Sequence, residues 1–244
     1  MNDLSVRNYR GREVPAVLGF ALAAGGAVSA LLLSAFEGVT TVGVVSSGAA
    51  LLVFAAGLVD DFAGEGPRGV RGHLRALAAG RVSTGIVKLF VLASVSIVTV
   101  ASLPGREGAI RVAGVVLLAG AANLWNGLDV RPGRAIKFAL LVPAAILAYP
   151  WRLAPFVPGV WLGAVIVLPW DVRERGVLGD SGANALGFSV GVACYLALSN
   201  VGVLVAAVAA LALNVLAETL TLSRLIDEVR PLRWFDRIAR APEP

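Results

Sequence analysis

The sequence predicts an all-α fold, a polytopic bundle of about eight transmembrane helices forming one domain over residues 1–244, and three observations carry that prediction. Hydrophobic residues make up 57% of the chain and charged residues 15%, where a soluble domain of this size carries roughly 25% charge. Mean hydropathy is +0.81. Eight apolar runs, most of them near the length of a span, recur along the chain, and about 20 residues at 1.5 Å each span a bilayer. The same composition excludes a disordered chain. With Cys194 as the only cysteine, a disulfide scaffold is excluded as well.

The first run, 14–36, follows Arg7, Arg10 and Arg12. Ala27-Val28-Ser29-Ala30 resembles a leader cleavage site, but apolar character continues to Phe36, so the run reads as a span. The second, 38–59, ends at the acidic pair Asp60-Asp61. The third, 83–103, lies between Arg81 and Arg106, and the fourth, 108–125, between Glu107 and a polar stretch opening at Asn126. The fifth and sixth, 135–149 and 156–170, are short and flank Pro150-Trp151-Arg152. The seventh, 183–199, follows Gly179-Asp180-Ser181-Gly182, and the eighth, 201–222, leads into a basic tail over 223–244. Val91–Val100 and Val201–Leu213 are apolar all round, whereas outer-membrane strands alternate apolar and polar residues. Trp125, Trp151, Trp170 and Trp234 fall near span ends, where interfacial aromatics anchor a bundle. Cys194, inside an apolar run, reads as a small packing residue.

Eight crossings put both termini on one side. That side holds eighteen of the 21 Lys and Arg residues, and only Arg106, Arg111 and Arg152 fall opposite. Because cytoplasmic loops carry the basic excess, the termini and the loops 60–82, 126–137 and 171–182 are expected in the cytoplasm. The net charge of +5 then describes a basic cytoplasmic face suited to phosphate groups rather than to nucleic acid.

Ionisable groups are costly at the edge of a bilayer and mark functional sites. Asp60 and Asp61 close the second run, where the negative end of a helix dipole and their mutual repulsion both disfavour them. A divalent cation would relieve both, and carboxylate with substrate phosphate is a common setting for Mg2+. Asn123-Leu124-Trp125-Asn126-Gly127-Leu128-Asp129 closes the fourth run and is followed by Arg131, Arg134 and Lys137, cations that grip phosphate. Asp180 stands at the start of the seventh run, placed to cap its helix or to meet substrate. Lys88, early in the third, either snorkels or reaches phosphates. His73, between Arg71 and Arg75, reads as part of a solvated face, and Glu218 as a buried partner for an arginine such as Arg224.

At these residues the chain resembles the polyprenyl-phosphate N-acetylhexosamine-1-phosphate transferase superfamily. Asp60-Asp61 looks like its aspartate pair, 123–129 is similar to its N-L-x-D-G-x-D motif, Gly179-Asp180-Ser181-Gly182 to its G-D-x-G-S motif, and Glu218-Thr219-Leu220 to a late E-T-L stretch. The chain departs from the pattern at four points: Asn126 stands where the first motif acid belongs, Gly64 replaces a lysine, for which Arg68 or Arg71 would substitute, a histidine-rich loop is missing, and the chain has about eight spans against the family's ten or so. The resemblance implies Mg2+-dependent transfer of a sugar phosphate from a UDP-sugar to polyprenyl phosphate, releasing UMP, at the cytoplasmic face of a bacterial-type plasma membrane. It assigns catalysis to Asp60, Asp61 and Asp129, with Asp61 and Asp129 at the metal. Substrate contacts fall to Asn123, Asn126, Lys88, Arg131, Arg134, Lys137 and Asp180. A homodimer is compatible with it. The competing expectations are a non-catalytic homologue that binds polyprenyl phosphate or a nucleotide sugar in envelope assembly, and a small transporter.

Overall fold

The computed structural model describes residues 4–63, 69–142, 150–219 and 222–240. A two-stranded antiparallel hairpin, β1 (Ser5–Arg7) and β2 (Glu13–Pro15), opens the chain. Eleven α-helices follow among the described residues: α1 (Gly19–Glu37), α2 (Thr41–Ala63), α3 (Gly69–Ala78), α4 (Thr84–Ser102), α5 (Gly108–Leu128), α6 (Arg134–Leu140), α7 (Val157–Asp171), α8 (Gly179–Ala197), α9 (Asn200–Thr219), α10 (Leu222–Glu228) and α11 (Arg230–Arg237). The expected all-α bundle is observed. Within it, α1, α2, α4, α5 and the Asn200–Ala217 part of α9 are long and apolar enough to cross a membrane.

Several boundaries differ from expectation, each for a local reason. The first helix begins at Gly19 rather than residue 14, because Glu13–Pro15 pairs with Ser5–Arg7. Helix α2 continues to Ala63, so Asp60 and Asp61 lie on its last turn rather than in a loop. Asn126 belongs to α5, and Asp129 directly follows that helix. Helix α8 starts at Gly179, four residues early, which draws Asp180 into its first turn. Of the fifth expected span, α6 covers seven residues, and 143–149 lie outside the described residues. The segments expected as loop and tail contain α3, α10 and α11.

Helix α8 is the axis of the bundle. Every side chain from Ser181 to Tyr195 is buried, and α5, α2 and α1 pack around it while α7 lies against α1. In the membrane, where lipid is as apolar as leucine, close backbone approach replaces the hydrophobic effect as the source of helix association. A Cβ on Gly57 would lie 2.5 Å from Ser181 Cα, one on Gly187 2.4 Å from the Ala121 carbonyl oxygen, and one on Gly159 1.9 Å from that of Gly25. Leu31, Phe36, Phe90 and Val205 project outward, as a lipid-facing surface requires.

The contacts define two ends. At one, the C-termini of α2, α5 and α7 meet the N-termini of α4 and α8. At the other, the Ser29 hydroxyl donates to the Pro155 carbonyl at 2.6 Å, Arg152 faces Glu37 at 3.7 Å, and Arg106 lies over the Tyr195 ring at 4.9 Å. Arg134 thus lies at the first end and Arg152 at the second. Arg106, Arg111 and Arg152, set apart by the charge pattern, all belong to the second end.

The α1–α7 contact has no room for a side chain. Gly159→Leu is expected to lower stability by at least ~1–3 kcal/mol, read as a reduced Tm of the detergent-solubilised protein. Leu162→Ala, on the exposed face of the same helix, serves as the control and should leave Tm unchanged.

Candidate functional site

At the first end, a lysine and a helix terminus neutralise the gathered acids. Lys88, buried on the first turns of α4, donates from Nζ to Asp60 Oδ2 at 2.6 Å and to Asp180 Oδ2 at 2.5 Å. Thr84, one turn earlier, donates to Asp60 Oδ1 at 2.6 Å. The Asn126 amide completes the group. Oriented to satisfy both neighbours, its nitrogen donates to Asp180 Oδ1 at 2.9 Å and its oxygen accepts from Lys88 at 3.3 Å. Five residues from four helices thus form one hydrogen-bonded unit. Thr84 and Lys88 can share it because residues i and i+4 lie on one helix face.

Asp61 does something else. Its Oδ1 accepts from the Asp180 amide at 2.7 Å and its Oδ2 from the Ser181 amide at 3.0 Å, so α2 supplies the N-terminal cap of α8. The residue preceding α8, Leu178, contributes no side-chain cap. Gly179 adopts φ +71, and a Cβ there would lie 2.9 Å from Asp61 Oδ2, so both the left-handed backbone and the close approach call for glycine. Asp61, expected as catalyst and metal ligand, thus caps a helix with both oxygens, and it also lines the cavity beside Asp129.

Asp129 lies beside this unit. Burial raises its pKa well above the usual carboxylate range, and repulsion from Asp171, Asp180 and Asp61 raises it further. With Asn126, Asp171, Glu174, Asp180 and Arg131 it lines a cavity of about 450 Å³. Oδ2 of Asp171 is buried with no hydrogen-bond partner. Among the described residues, no three His, Cys, Asp or Glu side chains are grouped closely enough to hold a metal ion. The four expected carboxylates do gather at one end, but Asp60 and Asp180 do so around Lys88 and Asp61 around backbone amides.

Other expected substrate contacts are engaged elsewhere. Arg134, fully buried, donates to both oxygens of Asp236 at 2.9 and 2.8 Å and to Ser223 at 2.7 Å. Lys137 donates to the main-chain oxygens of Asp236 and of Ile238. These two cations therefore fasten α11 to α6 and are corrected from substrate contacts to anchors. Asn123 donates to Asn214 at 2.6 Å, away from Asp129. It borders a second cavity of about 250 Å³ with His73, Asn126, Asn214 and Lys88. His73, expected on a solvated face, is half-buried: its Nδ1 lies 2.8 Å from the Ser83 hydroxyl and its ring covers Gly85. The wall between the two cavities is the Lys88–Asn126–Asp180 unit. Arg224 pairs with Glu228 at 2.8 Å, while the side chain of Glu218, with Arg68 and the side chain of Arg71, lies outside the described residues.

Sequence reasoning missed Thr84, Asp171, Glu174, Asp236 and the hairpin. Glu174 accepts from Asn8 at 3.0 Å and from the Tyr9 hydroxyl at 3.2 Å, and pairs with Arg10 at 3.0 Å. The hairpin tip is thereby fixed over the cavity that Asp129 lines. For Thr84 a signal was available in its i, i+4 spacing to Lys88. For Asp236 none was, its partner being 102 residues away.

Compared with known proteins, the chain matches no family model, no curated protein and no solved structure.

Two outcomes test this geometry. Asp61→Ala should uncap α8 at a cost of about 1 kcal/mol and speed hydrogen exchange at the Asp180 and Ser181 amides about fivefold, with Asp61→Asn retaining part of the protection. Burial by itself raises the Asp236 carboxyl, but its hydrogen bonds to Arg134 and the charges of Arg134, Arg240 and Lys137 outweigh this and hold it below its ordinary 3.8. A lowered folded-state pKa gives stability that is present above the unfolded value and lost as pH falls through the folded one. Anchoring of α11 should therefore persist at neutral pH and fail below about pH 4, read as a change in Trp234 fluorescence that Asp236→Asn shows already at pH 7.

Proposed function

We propose that the protein is a membrane phosphotransferase, crossing a bacterial plasma membrane eight times with both termini in the cytoplasm. It moves an N-acetylhexosamine-1-phosphate or related sugar phosphate from a UDP-sugar to polyprenyl phosphate. In that reaction an oxygen of the lipid phosphate forms a bond to the sugar-bearing phosphorus, the bond from that phosphorus to the bridging oxygen breaks, and UMP leaves with the electron pair. The observation that carries the reading is the convergence of Asp60, Lys88, Asn126, Asp129 and Asp180 at one end of the bundle, beside a cavity of about 450 Å³.

In this reading each group has a task suited to its surroundings. Lys88 is the buried cation closest to Asp60 and Asp180, and a substrate phosphate that displaces one carboxylate gains its charge. Asp60, held by Thr84 and Lys88, positions the lipid phosphate. Arg131 meets the diphosphate from the rim of the cavity. Asp129 and Asp171 suit a cation: burial first, and then repulsion from Asp171, Asp180 and Asp61, disfavours an unpaired charge on Asp129, and one buried oxygen of Asp171 has no donor. Mg2+ takes one or two carboxylates, substrate phosphate and water rather than a full protein cage, so Asp129 is the residue assigned to hold it. When bound, it neutralises diphosphate charge that develops as UMP departs.

A second reading, binding without turnover, is favoured by one feature. Asn126 stands among the acids as a neutral amide and ties Lys88 to Asp180, which leaves fewer charges for a reactive centre.

Turnover separates the two. Purified protein given polyprenyl phosphate, Mg2+ and a panel of UDP-sugars should release UMP, and Lys88→Met and Asp129→Asn should each reduce the rate at least about 100-fold, equivalent to ~2.7 kcal/mol of transition-state stabilisation. If no sugar nucleotide is consumed while polyprenyl phosphate still binds, the second reading holds.

A further inference from the structure

Next to the acid-lined cavity lies one of opposite sign. Arg10 and Arg12 from the hairpin, Arg131 from the turn after α5, and Arg237 and Arg240 from the C-terminal end surround a concave space of about 530 Å³. Among the described residues Asp227 is the one carboxylate on its wall, and Tyr9 and Arg131 line both this cavity and the first. Three chain segments far apart in sequence are folded together to make it.

The arginines are held in place by other groups. The guanidinium of Arg131 sits 4.4 Å from the centre of the Tyr9 ring and that of Arg10 sits 5.2 Å from it, an arrangement stabilised by cation–π attraction. The Tyr9 hydroxyl and Arg10 are both tied to Glu174. Arg240 pairs with Asp236 and donates to the Pro132 carbonyl at 3.2 Å. Burial depresses the Arg240 pKa, Asp236 opposes this, and the charges of Arg134 and Arg131 depress it further. Among the described residues, Arg12, Arg131 and Arg237 have no carboxylate partner. Like charges collected in a concavity repel. A multiply charged anion relieves that repulsion, and guanidinium groups meet phosphate oxygens through paired donors.

We propose that this arginine-lined cavity is a phosphate-binding site that takes a diphosphate or phosphodiester group, separate from the Lys88–Asp60–Asp180 unit. The shared chemistry is that of phosphate oxygens, whether they belong to a soluble nucleotide or to an anionic lipid headgroup. The site shares Arg131 with the transferase reading, but its binding needs no turnover, so pyrophosphate affinity and UMP release are separate readouts.

Binding of inorganic pyrophosphate to the full-length protein in phosphatidylcholine nanodiscs, measured by calorimetry, tests it. Saturable binding is expected, and it should weaken about tenfold in Arg131→Gln and in Arg237→Gln, and beyond detection in the double variant. Arg152→Gln, an exposed arginine at the opposite end of the bundle, should stay within about twofold of wild type. UDP that displaces pyrophosphate to the same extent in phosphatidylcholine and phosphatidylglycerol discs assigns the site to a soluble diphosphate. Phosphatidylglycerol that suppresses pyrophosphate binding assigns it to a lipid headgroup. Equal affinity in wild type and both arginine variants, or no binding to wild type, overturns the proposal. Because UMP release is not the readout, failure here is distinguishable from failure of the transferase reading.

Discussion

The end of the bundle where the acids collect depends on one ammonium group. Without Lys88, Asp60 and Asp180 would face each other across the junction of α2, α4 and α8 with only Thr84 and Asn126 as donors. With it, the two carboxylates become the means by which three helices are registered against one another. Asp61 adds a second tie from α2 to α8 through backbone amides, so adjacent acids on one helix turn serve different ends. One meets a side-chain cation and the other meets a helix terminus. This division gives each of the neighbouring carboxylates its own counter-charge within the protein.

The packing of the bundle serves the same junction. Helix α8 delivers Asp180 only because its first turns can lie against α1 and α2 at backbone distance, and the small residues Gly19, Gly57 and Gly182 allow that approach. A larger side chain at Gly57 would push Ser181 away and carry the capped amides out of reach of Asp61. Packing and electrostatics are therefore coupled at the level of single residues, which is the expected economy of a membrane fold in which the hydrophobic effect contributes little between helices.

Much of this was legible in the sequence, and what escaped had a physical reason. The length of the apolar runs gives the helices, and their alternation, with Asp60, Asp129 and Asp180 each at a run's edge, places those acids at one end. The neutralising partner was not legible. A dipole argument and like-charge repulsion show that Asp60 and Asp61 need a counter-charge, but they do not distinguish a divalent ion from Lys88 and the amides of α8, because that choice depends on three-dimensional register. The hairpin was missed because Ser-Val-Arg and Glu-Val-Pro are too short to show a strand period, and their arginines fit a basic flank equally well. Arg134 and Lys137 carried the residue types of a phosphate grip. Only the return of the C-terminal helix shows that Asp236 already occupies them.

Tyr9 stands between a compartment walled by carboxylates and one walled by guanidinium groups. Opposite potentials on the two sides of a single ring create a steep local gradient along the surface of the protein. A molecule with separated charges would experience a torque in such a gradient before contact.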